Sequence, residues 1–170
     1  MFNYFNLILK KLIFLFVIIL IFNSDVLSQS KSNSPFKEGL VVSAVKSGTM
    51  EDLIYSIQVG SSPSELDFDE VPALLLAVDR GRLDMTLFLL NKGARVDQRD
   101  SRKRTALSIA ARKNNISIIN ELINSGAKPD RYGENKETPL IIASRFGNYE
   151  SVLALLKGGA YPDDTDLTGR

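Results

Sequence analysis

Acidic side chains set close together are the first candidates for chemistry. Glu65, Asp67, Asp69 and Glu70 form one cluster, and Asp163, Asp164 and Asp166 form another. Spaced carboxylates that converge can hold Ca²⁺, because hard oxygen ligands suit a hard cation. Neither run has the spacing of an EF-hand loop, and acids are common in turns, where their oxygens bond to nearby backbone N–H groups. The expectation is solvated turn residues and no metal site. Other chemistry is excluded by composition, since the 170 residues include no Cys, no His and no Trp. Disulfides, thiolate or imidazole metal centres and Cys–His or Ser–His nucleophiles are therefore ruled out. No glycine-rich phosphate loop is present and no nucleophile stands near a base, so the chain reads as neither an enzyme nor a cofactor carrier.

The elements that position these side chains come next. Hydrophobic residues make up 44% of the chain and charged residues 24%, the balance of a globular domain rather than a disordered tail. Lys and Arg total 21 against 20 Asp and Glu, which argues against a protein built to coat nucleic acid.

Leu12 to Phe22 is an unbroken apolar run of 11 residues, preceded by Lys10 and Lys11 and followed by Asn23, Ser24 and Asp25. As a helix it would span about 16 Å, roughly half the hydrocarbon thickness of a bilayer. Extending it back to Leu7 would put two lysines in the membrane, at about 2.5–3.5 kcal/mol each. A basic flank, a short apolar core and Val26-Leu27-Ser28 describe a secretory signal peptide over residues 1–28, cut after Ser28 or close by at Ser30. The alternative is an uncleaved signal anchor with residues 29–170 outside. Both place the remainder in an exported compartment, periplasmic or secreted. Without residues 1–28 the chain loses Lys10, Lys11 and Asp25, leaving 19 basic and 19 acidic residues. Any charge-based function must then come from local patches.

Residues 29–35 are a polar, Ser-rich linker, and the rest repeats every 33 residues. Ala44, Ala77, Ala110 and Ala143 align; so do Val41, Leu74, Leu107 and Leu140. Gly48, Gly81, Asn114 and Gly147 follow the alanines, and Gly60, Gly93, Gly126 and Gly159 come later in each copy. Thr138-Pro139-Leu140 starts a short helix, with Thr138 as N-cap and Pro139 where its missing N–H costs nothing. Thr105-Ala106-Leu107 does the same one copy earlier. These helices run about two turns, and Gly48, Gly81, Asn114 and Gly147 accept the left-handed conformation that ends them. A second helix follows, as over Leu83–Asn91 or Ile116–Asn124, with Leu83, Leu87 and Leu90 as its apolar stripe and Leu89 beside them. The small Ala77, Ala110 and Ala143 let the two helices approach closely. Neither helix can bury its apolar face alone, so the copies must stack.

This pattern resembles ankyrin repeats. Thr138-Pro139-Leu140, Ala143, Gly147, Leu155-Leu156, Gly159-Ala160 and Asp163 carry the likeness in one copy. Thr105-Ala106-Leu107, Ala110, Leu122-Ile123, Gly126-Ala127 and Asp130 carry it in the copy before. Pro72-Ala73-Leu74, Ala77, Gly81, Leu89-Leu90, Gly93-Ala94 and Asp97 carry it one further back, and a weaker copy precedes these. The resemblance implies an all-α solenoid of helix-turn-helix repeats with β-hairpin-like fingers. It occupies residues 36–170, in copies at about 36–71, 72–104, 105–137 and 138–170.

Departures from the family pattern are specific. Its usual His is replaced by Leu75, Ser108 and Ile141, so the bond from that His to the Thr is expected to be absent, at about 1 kcal/mol each. The finger-turn Gly is Lys103 and Lys136 here, while Gly169 fits. The first copy lacks the Thr-Pro start and carries Ser56 where the others carry Leu, and it reads as an N-terminal cap. A fifth copy would begin at position 171, just past Arg170, so a shortened gene or a partner over the bare end is expected.

The resemblance also implies where a partner would bind: the finger tips and the end of each first helix. Those helix positions hold Lys46, Arg80, Arg112-Lys113 and Arg145-Phe146, a basic ladder with copies about 10 Å apart. The finger adds Arg95, Arg99, Arg102, Lys103 and Arg104, and Tyr132 and Phe146 are expected as exposed aromatics on that face. The expected partner is a protein with an acidic surface, not nucleic acid. The rival reading is a merely soluble surface on which Asp79, Asp97 and Asp100 neutralise the cations. The function implied is a non-catalytic protein-binding module in an exported compartment. A secreted effector that engages host proteins and a membrane-anchored scaffold are the alternatives.

Overall fold

The computed structural model describes residues 39–162; the apolar leader, the linker, Gly169 and the acidic run Asp163, Asp164 and Asp166 lie outside that range. Among the described residues eight α-helices alternate in two rows. The first row is α1 (Leu40–Ser47), α3 (Ala73–Asp79), α5 (Ala106–Arg112) and α7 (Pro139–Arg145). The second is α2 (Met50–Gln58), α4 (Leu83–Asn91), α6 (Ile116–Asn124) and α8 (Tyr149–Lys157). Each helix packs on its partner in the same copy and on the same row's helix in the next.

The starts follow capping chemistry. Thr138 Oγ1 accepts the Ile141 N–H at 3.3 Å, with Pro139 as the first helical residue. Thr105 does more than expected. Its Oγ1 accepts the Ser108 N–H at 3.2 Å, and Ser108 Oγ accepts the Thr105 N–H at 3.0 Å. Ser108 thus supplies the bond that replacing the family's His was expected to remove. Thr49 and Asp52 close a similar reciprocal box on α2.

The core is where the repeat columns put it, with Ala77, Ala110 and Ala143 fully buried between the rows. Within α4 the expected stripe is displaced. Met85, Thr86 and Leu89 are the fully buried side chains, while Leu83, Leu87 and Leu90 are half-buried. Leu83 and Leu90 pack against the edge of the core rather than within it. Ser56 is buried in the first copy and donates to the Leu53 carbonyl at 2.7 Å, which satisfies its hydroxyl.

Gly81, Asn114 and Gly147 take left-handed φ of 67, 54 and 70°, but Gly48 does not, at φ −91°. Gly48 is needed for space instead, because a Cβ there would lie 2.8 Å from the Ala44 Cα. The fingers are tight turns rather than paired strands, and among the described residues the one bridge joins Leu66 and Pro72. Glu70, Lys103 and Lys136 hold the turn position with φ of 59, 59 and 57°, so three side-chain-bearing residues occupy a glycine conformation.

Candidate functional site

Most of the basic ladder at the first-helix ends is spent on the fold. Lys46 Nζ lies 3.0 Å from Asp67 Oδ2. Arg112 and Lys113 both reach back one copy to Asp79, at 3.7 and 3.1 Å, and Lys113 Nζ also donates to the Asp79 carbonyl. Arg145 forms a two-point pair with Glu137, its Nη2 donating to Oε2 at 3.1 Å, and its guanidinium sits 5.5 Å from the Phe146 ring centre. Arg80 is the exception: it is exposed and has no ion pair among the described residues. The sequence had named Asp79, Asp97 and Asp100 as neutralising acids, and Asp79 and Asp100 do form ion pairs.

The finger after α4 is built differently. Asp100 is buried beneath it, with Oδ1 accepting the Arg102 and Arg104 N–H groups at 3.0 and 2.8 Å. Its Oδ2 accepts from Arg104 Nε at 2.7 Å, so Arg104 is turned inward. Arg99, Arg102 and Lys103 are exposed and carry no ion pair among the described residues. One buried carboxylate therefore fixes a turn whose three other cations point to water. The finger before it is held in the same way, Asp67 Oδ1 accepting the Asp69 and Val71 N–H groups at 2.9 and 2.8 Å.

A groove of about 180 Å³ runs between this finger, the turn at Gly133–Glu137, α5 and α7. Arg102, Arg104, Arg112 and Arg145 line it, with Ser108, Ile109, Gly133, Asn135, Glu137 and Ile142. The fold thus brings four of the expected residues together. Arg80, Arg99, Lys103, Lys113, Tyr132 and Phe146 are exposed but do not line the groove. Sequence reasoning missed Glu137, the acid within the groove, because its partner Arg145 lies eight residues on, across a helix start. The 33-residue spacing of Asp67 and Asp100 was a usable signal for the finger lock.

The acidic cluster corrects another expectation. Glu65 is not a solvated turn residue: its Oε2 accepts the Val41 and Val42 N–H groups at 2.8 and 3.1 Å, capping α1 from 24 and 23 residues away. Asp67 is also engaged. Burial acts to raise its pKa, but the Val71 N–H and Lys46 outweigh it, and the carboxyl titrates below its ordinary value. Asp69 and Glu70 remain exposed. Among the described residues no group of His, Cys, Asp or Glu is placed to hold a metal ion.

Stacked helix pairs with projecting turns, stitched copy to copy, define a repeat solenoid. The stitches recur with the period: Ser64 Oγ, Asp97 Oδ1 and Asp130 Oδ1 accept the Arg95, Lys128 and Tyr161 N–H groups at 3.0, 3.2 and 2.8 Å. The family profile for ankyrin repeats in three copies matches residues 40–132 and again 74–166, and the chain belongs to the ankyrin-repeat family. Repeats of this family are protein–protein interaction modules and are typically non-catalytic. The comparison with curated proteins found no match.

Proposed function

We propose that this protein binds an acidic surface of another protein through the finger Arg99–Lys103 and the groove beside it, in an exported compartment. The observation that carries the reading is the Asp100 lock. It spends one carboxylate to hold the turn rigid while leaving Arg99, Arg102 and Lys103 unpaired. Fixed, unpaired cations attract and orient an acidic partner at little ordering cost. Tyr132 and Phe146, exposed on neighbouring copies, add aromatic contact area. Export rests on the leader at residues 1–28, with the charged flank and short apolar core of a secretory signal.

The test is affinity capture with the full chain as bait. One variant carries Arg99→Glu, Arg102→Glu and Lys103→Glu; a second carries Arg112→Glu and Lys113→Glu. The reading expects one protein captured by the native bait, lost with the first variant and retained at least in part with the second. Equal circular dichroism spectra establish that each bait is folded. Retention by the finger variant overturns the proposed face.

A further inference from the structure

The groove between the finger Arg99–Arg104 and the turn Gly133–Glu137 holds more positive charge than the fold consumes. Four guanidiniums line it, those of Arg102, Arg104, Arg112 and Arg145, against the single carboxylate of Glu137. Glu137 is committed to Arg145, whose Nη2 donates to its Oε2 at 3.1 Å, and its side chain is only 15% exposed. Asp100 holds Arg104 by two contacts of 2.7 Å. Asp79 lies outside the lining and is nearer to Lys113, at 3.1 Å, than to Arg112, at 3.7 Å. Arg102 has no ion pair among the described residues. Two forks, those of Arg102 and Arg112, therefore keep charge to offer.

The space limits what can take up that charge. At about 180 Å³ the groove is smaller than the roughly 300 Å³ at which pockets begin to hold whole small molecules. Ile109 and Ile142 give it an apolar wall, which suits the methylene stem behind a charged tip. The turn beside it approaches closely: a Cβ on Gly133 would lie 3.2 Å from the Lys103 carbonyl oxygen. A helix or a strand does not fit, whereas one acidic side chain does.

We infer that the groove is a subsite for one carboxylate side chain of the partner, gripped by Arg102 and Arg112, and that Arg145 serves it by holding Glu137 away from them. The inference rests on the acidic partner proposed above and names the group that this partner inserts. Glu137 is the chain's own competitor for the site, since it is the one acid in the lining. Paired with Arg145 it adds no net charge to the groove; released, it would neutralise a fork that the partner needs. Arg145 is thus a positioning residue, and the loss of either member of the pair moves affinity in opposite directions.

The experiment is an NMR titration of the full chain, purified in the form that cells accumulate, following the arginine Nε–H signals. The probe is the peptide acetyl-Gly-Gly-Glu-Gly-Gly-amide over about 0.1–20 mM, with its Gln counterpart as control. Shifts that need the Glu are expected at Arg102 and Arg112, and Arg102→Gln or Arg112→Gln should each weaken binding. Glu137→Gln should tighten it about two- to fivefold, and Arg145→Gln should weaken it by a similar factor. The two together should restore the native affinity, because the pair then leaves without a net change in charge. Asp84→Asn adds the same charge on the exposed side of α4 and should change nothing. Absent Glu-dependent shifts overturn the subsite, as does equal tightening by Asp84→Asn. A double variant as weak as Arg145→Gln overturns the positioning role, since the pair would then only shape the turn. Tighter binding of acetyl-Gly-Gly-Gly with a free carboxyl end overturns the side-chain source. Amide spectra report whether each variant is folded, and Arg102→Gln, which breaks no ion pair, keeps the test open should another unfold. The finger reading is tested separately, by partner capture with a bait carrying Arg99→Glu and Lys103→Glu, neither of which lines the groove. Loss of capture by that bait without groove shifts leaves the finger reading standing and refutes the subsite.

Discussion

At the scale of single residues, carboxylates do the positioning. Glu65 takes over the cap that the first copy lacks, where Gly39 replaces Thr; a Cβ at Gly39 would occupy the place of the Glu65 carboxylate. Glu65→Ala leaves two N–H groups of α1 without their acceptor. It should cost about 1 kcal/mol, read as a lower urea midpoint and faster amide exchange at Val41 and Val42. Asp67 gives a pH dependence whose sign is fixed. Its pKa in the folded chain is depressed, so its contribution is present above the unfolded value and is lost as pH falls through the folded one. Urea midpoints should therefore decline below about pH 4, and less steeply in Asp67→Asn. Lys103 has φ of 59°, a conformation that disfavours side chains by about 1–2 kcal/mol, while glycine loses about 0.5–1 kcal/mol in chain entropy. Lys103→Gly should leave thermal stability unchanged or raise it by up to about 1 kcal/mol, whereas Lys103→Val should lower it.

At the scale of elements, the helices were legible because their signals are local. Thr105, Thr138 and Pro139 mark starts by chemistry that acts within one turn, and Leu83–Asn91 and Ile116–Asn124 have the predicted limits. What escaped depends on contacts across copies. Asn148 Nδ2 donates to the Ala111 and Arg112 carbonyls at 2.8 and 2.9 Å, and Arg82 Nη1 to the Gly48 carbonyl at 3.2 Å. These partners stand 34 to 37 residues away, and nothing in the local sequence names them. The same limit applies to the candidate site. Basic residues could be placed at helix ends, but their consumption by Asp79 and Glu137 follows only from how neighbouring copies face each other. The alanine column is a clean test of this level. Ala110 has no exposed surface between rows, so Ala110→Val should overpack it and lower stability by about 1–3 kcal/mol in chemical denaturation.

At the scale of the whole molecule, the repeat framework and the proposed recognition surface divide the charged residues between them. At the first-helix ends Lys113 ties its copy to the one before and Lys46 holds the finger of its own copy, and the finger Arg99–Lys103 presents cations held by no acid among the described residues. Exposed ion pairs contribute little, typically below about 1 kcal/mol, so Arg112 and Lys113 remain available to a partner that outbids Asp79. The most direct test of the account is amide hydrogen exchange on the full chain, alone and with the captured partner bound. The account predicts slowed exchange across residues 98–104 and 131–137, with residues 149–157 unchanged. Slowed exchange confined to the second helices, with both fingers unaffected, would contradict it.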